Sequence, residues 1–337
     1  MATIYELDNE QAYEAEVSQC VGVTGYHHWF FLSALAEAFK LQFRAFAVDS
    51  GGERLGVVPL LFRRRGFVSS ANLHPIGCIG PVIRGDALRA GRVSELLRGV
   101  EPVLWRHRVV AVRWAFSPGL NVNTEHLARS GYEVSEWENC VVSSTKSVDD
   151  CLKSMSTGRR QSIRQTEARG VFVEDSSTEE IIRWFPEQIS RMYERKDLSP
   201  LYRLAEIRAL AEGFAAHPRM LWRTAKTADG NVLGMTGSVI GDERLWGWQI
   251  VGPPARGISA QTLLHWDSIR WALARELTYD LGGVPNEGIR VVKVSLGAEI
   301  ETAVGAVRLR PRAAYKAGTA LYDWGMNRLV RWQNGRA

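Results

Sequence analysis

The sequence predicts an α/β chain made of two related halves, and three observations predict it. At 337 residues the chain has the length of two ordinary domains, and its 45% hydrophobic and 23% charged composition suits folded cores. LSALAEAF (32–39) returns as IRALAEGF (207–214), identical at five of eight positions. FRAFAVDSGGERLGVVPLLF (43–62) aligns without gaps on LWRTAKTADGNVLGMTGSVI (221–240), with four identities in twenty. Helix, hairpin and Leu-Gly thus recur in one order, half a chain apart.

The elements follow in order. A helix is expected over about 29–40, then the hairpin, which turns at Gly51-Gly52 where positive φ is required. SSANLHPIGCIGPVIRG (69–85) reads as a shaped loop, 86–107 as helical, VVAVRWAF (109–116) as a strand and 121–130 as a second helix. The second half opens near Asp149. Ser156 caps a basic helix that Gly170 ends, and VFVED (171–175) reads as a strand. The repeated helix and hairpin follow, the latter turning at Asp229-Gly230, and RLWGWQIV (244–251) reads as a strand. After Ser259, the residues Leu263, Trp266, Ile269, Leu273 and Leu277 keep a helical period. TYDLGG (278–283) is a buried strand running into a turn. The expected division is 1–148, 149–310, and a helical tail 311–337 that packs back on the first half.

Composition excludes several classes. The longest apolar block, residues 55–62, is broken by Gly56 and Pro59 and is far short of the ~20 residues of a membrane span. The N-terminal residues are acidic, with no basic and apolar leader pattern, so a cytoplasmic protein is expected. Four scattered cysteines and seven histidines show no metal-ligand spacing, and no metal is expected. The net charge of +5 is unevenly spread: residues 1–50 hold seven acids against two bases, residues 301–337 seven bases against two acids. Such a tail favours a polyanionic partner such as RNA, although solvated basic faces are common.

Four blocks stand out in order: YHHWFFLSALAEAF with LGVVPLLF; the basic helix STGRRQSIRQTEARG and its strand; YERKDLSPLYR with DGNVLGMTGSVI; and YDLGGVPNEGIRVVKVSLGAE (279–299). Together they resemble the Fem-type family of aminoacyl-tRNA-dependent transferases and their FemAB-like relatives. The last block matches the family signature near its site, with Val292 in place of the aromatic before the lysine and Leu296-Gly297 in place of Phe-Gly. No coiled-coil arm interrupts the second half, so the resemblance is to compact members. It implies two tandem GNAT-like domains, each a mixed twisted sheet flanked by helices. It also implies transfer of an aminoacyl group from aminoacyl-tRNA to the free amine of a small peptide or peptidyl acceptor. The acceptor would be a cell-wall precursor or a peptide natural product. No cofactor beyond the tRNA co-substrate is implied, and the chain is expected to act as a monomer.

Such a transfer needs a neutral amine, a positioned carbonyl and a donor for the tetrahedral oxyanion. No GxSxG elbow is present, and an aminoacyl ester needs no covalent enzyme intermediate. Lys293, matching the signature lysine, takes the oxyanion role; read alone it is a surface lysine at a strand end. Asp280, in an apolar strand, is either a base with a raised pKa or a carboxylate holding the Gly282-Gly283 turn. Arg159, Arg160 and Arg164 lie on the basic helix, the last two on one face suited to phosphate oxygens, or simply to water. Arg195 and Tyr202 flank a loop placed like the family's acceptor contacts, though Tyr202 fits a core as well. Trp248 pairs with Trp246 on one strand face, as packing or as a ligand platform. His265 reads as packed or solvated.

Two rival readings stand. An acyl-CoA enzyme would cradle pyrophosphate on free N–H groups, but IVGPPARGISAQ (250–261) places Ser259 where that motif needs Gly and has two prolines without N–H. A non-catalytic tRNA- or peptide-binding module is the other.

Overall fold

The structure is a computed structural model, and it describes residues 2–73, 77, 79–195 and 202–309. Its strands are β1 (Ala2–Leu7), β2 (Cys20–Val21), β3 (Gln42–Ser50), β4 (Glu53–Arg65), β5 (Val68–Ala71), β6 (Val82–Arg84) and β7 (Val109–Ala115). They continue with β8 (Glu133–Val142), β9 (Phe172–Asp175), β10 (Met220–Lys226), β11 (Val232–Ile240), β12 (Arg244–Val251), β13 (Thr278–Gly283) and β14 (Glu299–Leu309). One sheet runs through the chain in the order β1-β3-β4-β5-β7-β14-β8-β13-β12-β11-β10-β9, with β6 pairing β2 and β4 beside it. Its pairs are antiparallel except β5 with β7 and β12 with β13.

That order has a near-twofold plan. In each half a hairpin leads to a strand that runs parallel to its next neighbour. The closing strand comes from the other half: β14 pairs β7, and β8 pairs β13. The two exchanged strands pair with each other along Glu133–Val141 and Glu299–Val307. The duplication extends into this region. Asn123 caps the helix Thr124–Arg129 and Asn286 caps Glu287–Val294, each accepting a backbone N–H at 3.0 Å. Each of these helices is followed by a positive-φ glycine, Gly131 or Gly297, before the exchanged strand. The mixed α/β tandem architecture expected from the sequence is thus the one observed.

Three cores follow from the alternation of side chains across the sheet. The central one lies between the halves, where the duplicated helices Trp29–Phe39 and Leu204–Phe214 meet. Phe31 and Phe214 stack there with centroids 4.9 Å apart, and Gly213 lets the helices close to Ala34. The outer cores sit under residues 85–106 on one side, and under the helices Thr157–Ala168 and Ala260–Leu273 on the other.

Several local expectations need correction. The helical stretch 86–107 is three short helices, Gly85–Arg89, Val93–Gly99 and Glu101–Arg106, because Gly91 takes φ +69° and Pro102 opens the third. Gly51-Gly52 forms the two-residue turn with positive φ at both positions. Residues 227–231 make a longer loop in which only Gly230 has positive φ and Asp229 bonds to Thr227 and Asn231 instead. Lys293 lies on the helix Glu287–Val294 rather than at a strand end. The expected tail helix 311–337 lies outside the described residues.

Candidate active site

β12 and β13 are hydrogen-bonded only along Arg244–Trp246 and Thr278–Asp280, and then part. Two glycines mark the parting. A side chain at Gly247 would put its Cβ 2.9 Å from the Asp280 carbonyl oxygen, and Gly282 takes φ +83° where the β13–β8 register shifts.

Lys293 and Asp280 meet at this corner by holding one residue from both sides. The Gly282 N–H donates to Asp280 Oδ1 at 2.7 Å. The Lys293 Nζ donates to the carbonyls of Gly282 and Gly283 at 2.9 and 2.8 Å. A lysine ammonium has three N–H groups, so one remains for another acceptor. Burial pulls the Lys293 pKa below its ordinary value, against the Cys140 and Asp280 charges that raise it. The helix that carries it is fixed by Arg159, whose Nε donates to Ser295 Oγ at 2.9 Å and whose Nη1 donates to Thr262 Oγ1 at 3.0 Å.

Asp280 is 2% exposed, and burial pushes its carboxyl up to about 6, against the Gly282 N–H, the Asn139 amide and Arg244. Asn139 Nδ2 donates to Oδ2 at 2.9 Å, and Arg244 Nη1 stands 3.8 Å from the same oxygen while it grips Glu301. Both carboxylate oxygens therefore have partners, and of its two expected roles the geometry supplies the structural one. Its raised pKa fixes the sign of a stability effect. The folded state prefers the protonated acid more than the unfolded chain does. Asp280 therefore costs nothing below the unfolded value near 3.8, and its ionisation subtracts stability as pH rises from about 4 to about 6. Asp280→Asn should remove a pH-dependent difference of about 2–3 kcal/mol. The check is urea midpoints for both proteins at pH 4 and pH 7. A gap between them that does not change with pH would contradict the assignment.

The other expected site residues fall elsewhere. Arg160 does not share an outward phosphate-binding face with Arg164. Its guanidinium donates to the carbonyls of Leu152, Lys153 and Met155, the unpaired carbonyl end of the helix Val148–Ser154. Arg164 is exposed. Arg195 is exposed at the end of its helix, and the KDLSP loop that it was expected to flank lies outside the described residues. Tyr202 is core: it is buried edge-on to Phe39 and hydrogen-bonded to Gln249. Trp248 is core as well. It occupies the unpaired position of a β12 bulge, packed against Phe185, Phe214 and Trp222. His265 is packed, with Nδ1 3.2 Å from the Tyr279 hydroxyl, and burial lowers its pKa to about 3.

Sequence reasoning missed Asn139, Arg244 and Glu301. Asn139 and Glu301 face each other across β8 and β14, and only the strand exchange brings them to Asp280. Their signal was the recurring Asn-capped helix and glycine before each exchanged strand. Among the described residues no His, Cys, Asp and Glu group is placed to hold a metal, and no helix is long and apolar enough to cross a membrane.

A family model described as an acetyltransferase (GNAT) domain matches residues 153–290. Among similar solved structures, FemX has a TM-score of 0.71 at 13% identity, covering 89% of this chain and 96% of that one. A tandem GNAT protein from the clavulanic acid biosynthesis pathway, solved without AcCoA, has a TM-score of 0.54 at 14% identity, covering 92% and 98%. The C-terminal domain of a putative lysylphosphatidylglycerol synthetase from Agrobacterium fabrum has a TM-score of 0.57 at 11% identity, covering 92% and 96%. No curated protein sequence matches the chain. With strand exchange, duplicated helices and the matched domain together, the chain has a tandem GNAT-like fold of the kind seen in FemX.

Proposed function

We propose that the protein is an aminoacyltransferase that moves an aminoacyl group from aminoacyl-tRNA to the free amine of a peptide-like acceptor. The observation that carries this reading is the spare N–H of Lys293, held by two carbonyls where β12 and β13 part. There the amine attacks the ester carbonyl, and the oxyanion accepts from Lys293. The C–O bond to the tRNA ribose then breaks as the amide forms, and the amine proton passes to the leaving ribose oxygen. Asp280 acts as a positioning residue that keeps Gly282, and through it the lysine, in place.

The segment after β12 supports tRNA over acyl-CoA as donor. Pro253 and Pro254 have no N–H. The Ile258 N–H is taken by the Ala255 carbonyl, and the Ser259 N–H by Thr166 Oγ1 at 3.0 Å. The Arg169 guanidinium covers Gly257, where a Cβ would lie 2.3 Å from it. Few donors remain for a pyrophosphate. The matched acetyltransferase model favours the acyl-CoA reading, and one experiment separates the two. The protein is incubated with mixed charged tRNAs and amine acceptors, with and without ribonuclease, and in parallel with acetyl-CoA. Amide formation abolished by ribonuclease is the expected result. Product that survives ribonuclease and needs acetyl-CoA overturns the donor assignment.

A further inference from the structure

A cavity of about 470 Å³ opens between the halves, bounded by residues 17–24 and 117–120 of the first and 241–246 of the second; Lys293 is not among its lining residues. One wall is apolar. Trp246 is buried there, its ring 5.9 Å from that of Tyr26, with Leu120 on the same cavity. The charges are unbalanced. The carboxylates of Asp242, Glu243 and Glu301 line the cavity against the single guanidinium of Arg244, which Glu301 already holds through both Nη atoms at 2.7 and 3.2 Å. Asp242 lies 3.3 Å from Arg219, and His28, also on the wall, is 3.0 Å from Glu14. Glu243 makes no side-chain contact of this kind among the described residues.

A second and independent observation is Ser117. It is 8% exposed and lines the same cavity, and its hydroxyl has no hydrogen-bond partner among the described residues. A hydroxyl on a cavity wall with no partner in the protein keeps its donor and acceptor capacity for a ligand.

We propose that this cavity binds a small ligand carrying a protonated primary amine on a short aliphatic arm. The ammonium lies between Glu243 and Glu301, the methylenes lie along Trp246, and a polar group at the far end takes the Ser117 hydroxyl. Arg219 holds Asp242 and Arg244 holds Glu301, which leaves Glu243 as the uncompensated charge of the cavity; that balance favours an ammonium over an anion, and the indole wall suits a chain of methylenes over a bare metal ion. The inference does not depend on which acyl donor the enzyme uses.

The test is isothermal titration of the full-length protein with 1,5-diaminopentane, with 1,5-pentanediol and glutarate as neutral and anionic isosteres. The diamine alone should bind. Glu243→Gln should weaken it about tenfold without moving the thermal midpoint, because Glu243 is exposed and unpaired. Ser117→Val should weaken it as well. Absence of diamine binding, equal affinity in the Glu243→Gln protein, or preferential binding of glutarate each overturns the proposal.

Discussion

Lys293→Met should lower kcat for amide formation by roughly 10²–10³-fold, which corresponds to about 3–4 kcal/mol of transition-state stabilisation from one oxyanion donor. The side chain keeps its length, so the effect is one of charge and donation. In the proposed mechanism the third N–H is engaged only as the carbonyl becomes tetrahedral, so KM for donor and acceptor should stay within about threefold of wild type. Loss of the bonds to Gly282 and Gly283 lowers stability too, by about 1–2 kcal/mol. Steady-state kinetics well below the variant's melting temperature separates the two effects. A variant that melts earlier but turns over normally would show Lys293 to be a strap for the turn and nothing more.

Gly56→Ala should be among the most damaging single-methyl additions in the chain. Its Cβ would lie 2.1 Å from the Val82 carbonyl oxygen and 2.9 Å from the Ile83 Cα, both backbone atoms of the strand that Gly56 pairs with. Backbone cannot turn aside as a side chain can, so β6 must detach or β4 must bend, at a cost of about 3 kcal/mol or more. The equivalent residue of the second Leu-Gly pair, Gly234, provides the control. Its Cβ would meet Leu264 Cδ1 and the Val251 carbonyl at 3.1 Å, a tight fit that a leucine rotamer relieves in part. Gly234→Ala should therefore cost about 1 kcal/mol. Urea unfolding of the two variants side by side is the measurement, and equal losses would refute the distinction.

The contrast shows what was legible in the sequence. Leu-Gly recurred visibly, as did the Ala-rich helix and the hairpin around it, because local pattern and turn chemistry carry those elements. The helix that holds Lys293 was not legible. Val291, Val292 and Val294 are β-branched and at least 39% exposed, so neither propensity nor burial marks a helix there. Its cause is the Asn286 cap that follows Val284-Pro285. The exchange of β8 and β14 was invisible because alternation tells which face of a strand is buried and not which strand lies beside it. Arg160 shows the same limit at the level of one side chain. Its spacing from Arg164 suggested a shared outward face, while the carbonyls that take it belong to the preceding helix. Asp280 was singled out because a charge in an apolar strand is conspicuous, yet Asn139 and Arg244 reach it from strands remote in sequence.

Crossed closing strands also limit how the molecule can move. A two-lobed enzyme with a single linker opens like a jaw, but here each lobe is hemmed by a ribbon belonging to its neighbour, so any opening would have to unzip backbone ladders along β8 and β14. Substrates must then enter a cleft of nearly constant width. The chain behaves mechanically as a sutured dimer, and recognition has to come from a surface already in shape before anything docks.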